Sequence, residues 1–296
     1  MRQSEERYIS LLTDFGFKRI FGTDPNKDLL INFLNSLFNG EEVIKDVRYL
    51  NSENVGDVYT ERKAIFDVYC ENERGEKFIV EMQNAYQTFF KDRSLFYSTF
   101  PIREQAPKSS DWNFCLKKVY VVALLNFKMS DEAFDSSDTI HTIALMDTKT
   151  KKVFNAKLMF KYVEVGRFDK ADNELTSLSD KWMYVLKNLS RLDDRPAALR
   201  EKIFTKLFDA AAIARFSPTE LREYEDSLKA YRDIKNSLDT AKAEGRAEGR
   251  AEGIAEGRAE GRAEVAKTMM EKGMDVKIIA SLTGLSEEEI KSFSKK

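Results

Sequence analysis

Residues 65–83 read IFDVYCENERGEKFIVEMQ. Apolar residues flank the charged, turn-rich ENERGE, the pattern of a buried hairpin. Yet Asp67 interrupts the first run, and Glu81 and Gln83 close the second. In a strand, residues i and i+2 share a face, so Glu81 and Gln83 point one way and Met82 the other. A turn centred on Arg74 and Gly75 sets Asp67 across from residues 81–83. Two carboxylates and an amide then converge on one patch. Carboxylate oxygens suit a hard cation such as Mg²⁺. An ion there activates water and polarises a phosphodiester. Ile65, Val68, Phe78 and Val80 are left to supply core.

Other chemistries are poorly served. The 296-residue chain has one histidine, His141, in a strand-like stretch (SSDTIHTIALMD). Serine and cysteine hydrolases usually need a histidine base, and most catalytic zinc sites and HNH-type nucleases need at least one. Carboxylates, amides and lysines are the better candidates. The cysteines, Cys70 and Cys115, form no CxxC pair, which fits a reduced intracellular protein. Lys and Arg total 48 against 50 Asp and Glu, a formal net charge of −2. That balance fits a soluble cytoplasmic protein and leaves room for a local basic groove. The start MRQSEERYISLL lacks the apolar run of a signal peptide, and no apolar run is long enough to span a membrane.

The elements that must position the patch follow from periodicity. DFGFKRIFG is a first helical pattern starting after Asp14. DPNKDLLINFLNSLF is a second, with Pro25 in its first turn and Leu29, Leu30, Phe33, Leu34, Leu37 and Phe38 as its apolar stripe. Strands are expected at 43–50, 64–70 and 77–83, and a Pro101-interrupted helix over 88–105. VYVVALLNF (119–127) reads as a strand buried on both faces. IHTIALMD and KLMFKYVEV are further strands around the turn DTKTKK, and 170–236 is helical. Ser217, Pro218 and Glu220 make a capping-box-like helix start.

Composition changes abruptly at 243–264, where AEG(R/I) repeats. Glu and Arg recur every four residues and can pair along an exposed helix. Each glycine costs roughly 1 kcal/mol of helix stability against Ala. A semi-flexible helical linker and an oligomerisation stalk both fit. The end of the chain reads helix, Gly273, helix, Gly284, helix, the helix-turn-helix pattern. Its last helix opens on Glu287, Glu288 and Glu289, which face phosphate badly, so a DNA reader and a protein-contact module both remain open.

The hairpin pattern D–x13–E–x–Q behind N-terminal helices resembles the PD-(D/E)xK nuclease superfamily. The ordered blocks TDFGFKRIFG, PNKDLLINFLN, RKAIFDVYC, GEKFIVEMQ, FKDRSLFYS, VYVVALLNF, DKWMYVLKNL and SPTELREYEDSLKAYRD are similar to one branch of it. That branch is the Rpn-type recombination-promoting nucleases, also described as PD-(D/E)xK family transposases. The likeness runs over about residues 8–236, and the repeat and tail match as well. A bare D…ExQ is a weak signal, whereas the ordered series of blocks is specific.

The resemblance implies an α/β fold: a restriction-endonuclease-like core with a central mixed sheet flanked by helices, and a helical C-terminal extension. The expected division is a nuclease-like core at 1–165, a helical extension at 166–240, the repeat linker at 241–264 and the tail at 265–296. It also implies a Mg²⁺-dependent DNA endonuclease linked to recombination or transposition, with Asp67 and Glu81 as metal ligands. Gln83 takes the position of the superfamily lysine. Asp14 either adds a carboxylate or caps the helix that follows it. Gln83 is neutral and cannot supply the lysine's charge. Lys18, Lys63 and Arg93 are the candidate replacements, with Tyr97 four residues beyond Arg93 on the same helix face. DNA is the expected partner, with self-association through the C-terminal helices and no membrane. The rival is a DNA-binding or self-associating protein whose nuclease site is vestigial.

Overall fold

The computed structural model describes residues 6–54, 64–106, 113–129, 134 and 137–293. Lys63 lies outside them. The chain divides into two compact units, 1–235 and 236–296.

The first unit is an α/β structure on a six-stranded mixed sheet. Its strands are β1 (Val47–Tyr49), β4 (Val68–Asn72), β5 (Lys77–Gln83), β6 (Val119–Leu125), β7 (Ile140–Met146) and β8 (Val153–Val163). They lie in the order β1-β4-β5-β6-β8-β7. β2 (Glu53–Asn54) and β3 (Ala64–Ile65) form a separate two-stranded ladder. β5 pairs β6, and β6 pairs β8, in parallel; β4–β5 and β7–β8 are antiparallel. α3 (Phe90–Arg103) makes the crossover between β5 and β6 that parallel pairing requires.

Every residue of β6 is buried, as its unbroken apolar run demands. One sheet face packs under α1 (Asp14–Phe21), α2 (Lys27–Phe38), α4 (Leu178–Asn188) and α5 (Lys202–Ala211). Phe21, Phe33, Trp182 and Phe204 meet there with ring centroids 5.0–5.7 Å apart, while the Trp182 indole N–H donates to Asn32 Oδ1 at 2.8 Å. Fully burying one such side chain is worth roughly 1.5–3 kcal/mol. The helices beyond residue 165 therefore share one core with α1 and α2. α3 covers the other face through Phe90, Phe100 and Tyr97.

Two expectations are corrected. The stretch 64–70 is not one strand: the chain bends at Asp67 and separates β3 from β4. The bend shifts the alternation, so Ile65 is exposed and Phe66 is fully buried in its place. The strand around KLMFKYVEV starts earlier, at Val153, so the β7–β8 hairpin outruns β6.

α6 (Pro218–Glu271) begins in the first unit and carries the glycine repeat. In the second unit, α7 (Val276–Thr283) ends on Gly284 in left-handed conformation, φ 71°. α8 (Glu287–Ser292) starts at a Ser286–Glu289 capping box. Ala266, Ile279 and Ile290 form the small core of this unit.

Candidate active site

The site lies where β4 and β5 part. Their last pair is Val68–Val80, so the backbone N–H of Met82 has no partner in β4. Asp67 supplies one: its Oδ2 accepts from Met82 N at 2.8 Å. Glu81 Oε1 in turn faces the Asp67 N–H at 3.4 Å. Each carboxylate thus caps the other's strand, and the pair is pinned by backbone. Glu81 and Gln83 share the face under α3, with Gln83 Nε2 donating to Glu81 Oε2 at 3.3 Å.

Burial dominates the electrostatics of the pair. It pushes Glu81 up to about 8, and the nearby Asp67 charge pushes the same way. Asp67 is also raised, by burial and by Asp14, against the pull of the Met82 N–H, Lys18 and Arg93. Without a cation the pair keeps a proton near neutrality, because two close carboxylates cannot both ionise cheaply.

Two basic groups flank it. Arg93, on α3, donates through Nη2 to Gln83 Oε1, so Gln83 bridges guanidinium and carboxylate. Lys18, on α1, pairs with Asp14 Oδ1 at 2.8 Å. Burial pulls Lys18 down, but Asp14 and then Asp67 and Glu81 outweigh it and raise it. Tyr97 packs on Phe66 with ring centroids 5.4 Å apart, and burial followed by the Glu81 charge raises its hydroxyl.

α1 reaches the site through contacts that no spacing rule reveals. Thr13, not Asp14, caps it, its hydroxyl accepting from Gly16 N at 3.0 Å. Asp14 is thereby released to hold Lys18. Gly16 lies against Ser10: a Cβ there would meet the Ser10 carbonyl at 2.1 Å. Asn84, just after β5, donates to Leu12 O at 2.7 Å and ties the strand end to the segment before α1. Sequence reasoning missed Thr13, Gly16 and Asn84. The TDFG start held a cap signal at Thr13, but Asn84 had none.

The structure therefore gathers Asp14, Lys18, Asp67, Glu81, Gln83, Arg93 and Tyr97 in one place. Among the described residues, no group of three or more acidic, histidine or cysteine side chains is placed to hold a metal. The donor set is a carboxylate pair, which fits a divalent cation that retains most of its waters rather than one caged by protein. His141 is elsewhere in role: buried, with Nε2 2.8 Å from Glu164 Oε1.

No helix among the described residues is long and apolar enough to cross a membrane. Neither the curated proteins nor the solved structures include a match to the chain. Two family models do match. Residues 259–295 match the C-terminal HTH domain of the Rpn/YhgA-like nuclease family. Residues 11–241, most of the chain and all of the site, match the PD-(D/E)XK nuclease family transposase. The chain belongs to that PD-(D/E)XK nuclease family.

Proposed function

We propose that the protein is a divalent-metal-dependent DNA endonuclease, with Asp67 and Glu81 holding the cation. The observation that carries this reading is the buried carboxylate pair, pinned by backbone N–H groups and flanked by Lys18 and Arg93. Such a pair is costly to ionise alone and is relieved by a cation. When bound, a Mg²⁺ ion supplies Lewis-acid polarisation of a phosphoryl oxygen and a more acidic water.

The chain's own residues do the rest. Asp67 and Glu81 must give up their shared proton for the cation to bind. Gln83 orients the Arg93 guanidinium through its amide oxygen while its N–H₂ steadies Glu81. Arg93 and Lys18 then replace the positive charge of the superfamily lysine and hold phosphate oxygens. Asp14 keeps Lys18 aimed at the pair. Tyr97 lines the entrance as a hydrogen-bond donor. The first unit is the nuclease, the glycine repeat a spacer and the tail an accessory module. A role in recombination rests on family membership alone.

Gln83 favours one rival, a DNA-binding protein with a vestigial site. Nicking of supercoiled plasmid with Mg²⁺ separates them. The nuclease reading expects wild type to cleave and Asp67→Ala and Glu81→Ala to be inert. Wild type no faster than the variants, with DNA binding intact in all three, makes the site vestigial.

A further inference from the structure

Away from the acidic pair, β7 and β8 continue past the sheet as a two-stranded arm. β6 pairs with β8 only from Leu158 onward, so residues 153–157 have just β7 beside them. Every residue from 145 to 157 is exposed. The arm's turn lies roughly 30 Å along the strands from the row of Glu81, at about 3.3 Å per residue.

Its composition is unlike the rest of the chain. Residues 147–157 hold four lysines, Lys149, Lys151, Lys152 and Lys157, against the single Asp147, whereas the whole chain is formally −2. Among the described residues none of these lysines makes an ion pair. Asp147 is spent on the turn: its carboxylate accepts from the Thr150 and Lys149 N–H groups. Lys151 takes φ 59°, the left-handed position that closes the turn. Beside the lysines stand Phe154, 83% exposed, and the half-exposed Leu145, Met146 and Val153.

An exposed arm with unshared positive charge would repel a second copy of itself and attract a polyanion. Its width selects the kind. A two-stranded ribbon fits the major groove of B-DNA, about 12 Å wide. The major groove of A-form RNA is deep and narrow and excludes it. We propose that the β7–β8 arm is a second DNA-contacting element, which enters the major groove of duplex away from the bond to be cut. The lysines neutralise phosphates, and Phe154 makes apolar contact with base edges such as the thymine methyl. This rests on DNA being the substrate, but it needs no metal and no intact acidic pair.

The test uses the full-length protein with EDTA and a 40-base-pair DNA duplex, measuring affinity across a salt series. The variants are the fourfold Lys149→Gln, Lys151→Gln, Lys152→Gln, Lys157→Gln chain, and Phe154→Ala. Each phosphate contact contributes about 0.9 to the slope of log K against log salt. The fourfold variant is expected to lower that slope by about 2–4 and weaken binding more than tenfold, with an unchanged melting temperature. Phe154→Ala is expected to weaken binding severalfold without changing the slope. Duplex RNA is expected to compete at least tenfold less well than DNA. An unchanged slope in the fourfold variant overturns the proposal. Equal competition by RNA overturns the major-groove assignment. Arm-dependent binding by a protein that cleaves nothing would sink the nuclease reading alone. Absence of any DNA binding by wild type would sink both.

Discussion

Two buried glutamates near strand ends of the same sheet are treated in opposite ways. Glu164, just after β8, is fully buried and fully engaged. It accepts from Met129 N at 2.8 Å and from Arg167 Nε at 3.1 Å, and lies 2.8 Å from His141 Nε2. Among the described residues Glu81, at the end of β5, has only the long contacts to Asp67 N and Gln83 Nε2, at 3.4 and 3.3 Å. Burial pushes it up to about 8, and the charge that acts on it most strongly, in the same direction, is that of another carboxylate, Asp67. A buried acid whose lone pairs are all met is a fastener. A buried acid left short of partners is poised for a ligand. The molecule's lone histidine belongs to the fastener.

The largest expected effect breaks the fastener. Glu164→Ala removes the buried carboxylate shared by the Met129 N–H, Arg167 and His141 and is expected to cost about 3–5 kcal/mol, read from urea unfolding. Glu81→Ala should leave metal-free stability unchanged or raised, because it removes a carboxyl that is costly to bury. Equal losses at the two positions would erase the distinction.

A smaller effect is expected at Arg93, which acts on the pair through Gln83. Arg93→Ala is expected to slow cleavage roughly 10–100-fold, as groups that orient metal ligands do. Arg93→Lys, which retains charge but not the planar fork, should recover only part of this. Full recovery would show that charge alone matters there.

The smallest effect is a pH slope. Glu81 is raised in the folded state, so between its unfolded value and about 8 the native protein binds more protons than the unfolded chain. Its contribution is present at low pH and is lost as pH rises through about 8. Metal-free protein is expected to melt at a lower temperature at pH 8.5 than at pH 5.5 on this account. Glu81→Gln should flatten that dependence, as should saturating Mg²⁺. A slope that survives Glu81→Gln belongs to other groups.

Much of this was legible in the chain. The second hairpin strand expected at 77–83 became β5 residue for residue. The unbroken apolar run from Val119 became the doubly buried β6, and the Ser217–Glu220 spacing became a working capping box. Hydrophobic period and cap chemistry are local, so sequence carries them directly. The convergence of Asp67, Glu81 and Gln83 was legible too, because hairpin register is a local consequence of its turn.

Other features depended on distant partners. A bend at Asp67 exposed Ile65 and buried Phe66, since Phe66 is held between Tyr97 and Phe100 of α3. Nothing in DFGFK says that Lys18 faces Glu81; Asn84 reaching Leu12 decides it. Nor does the sequence distinguish Glu164 from Glu81, for each is a glutamate in an apolar run. By itself the sequence determined the elements, the family and the residue types able to bind a cation, because these follow from near neighbours along the chain. Only the tertiary structure decided which carboxylates are satisfied and which are left wanting, because that depends on donors brought from far away in sequence.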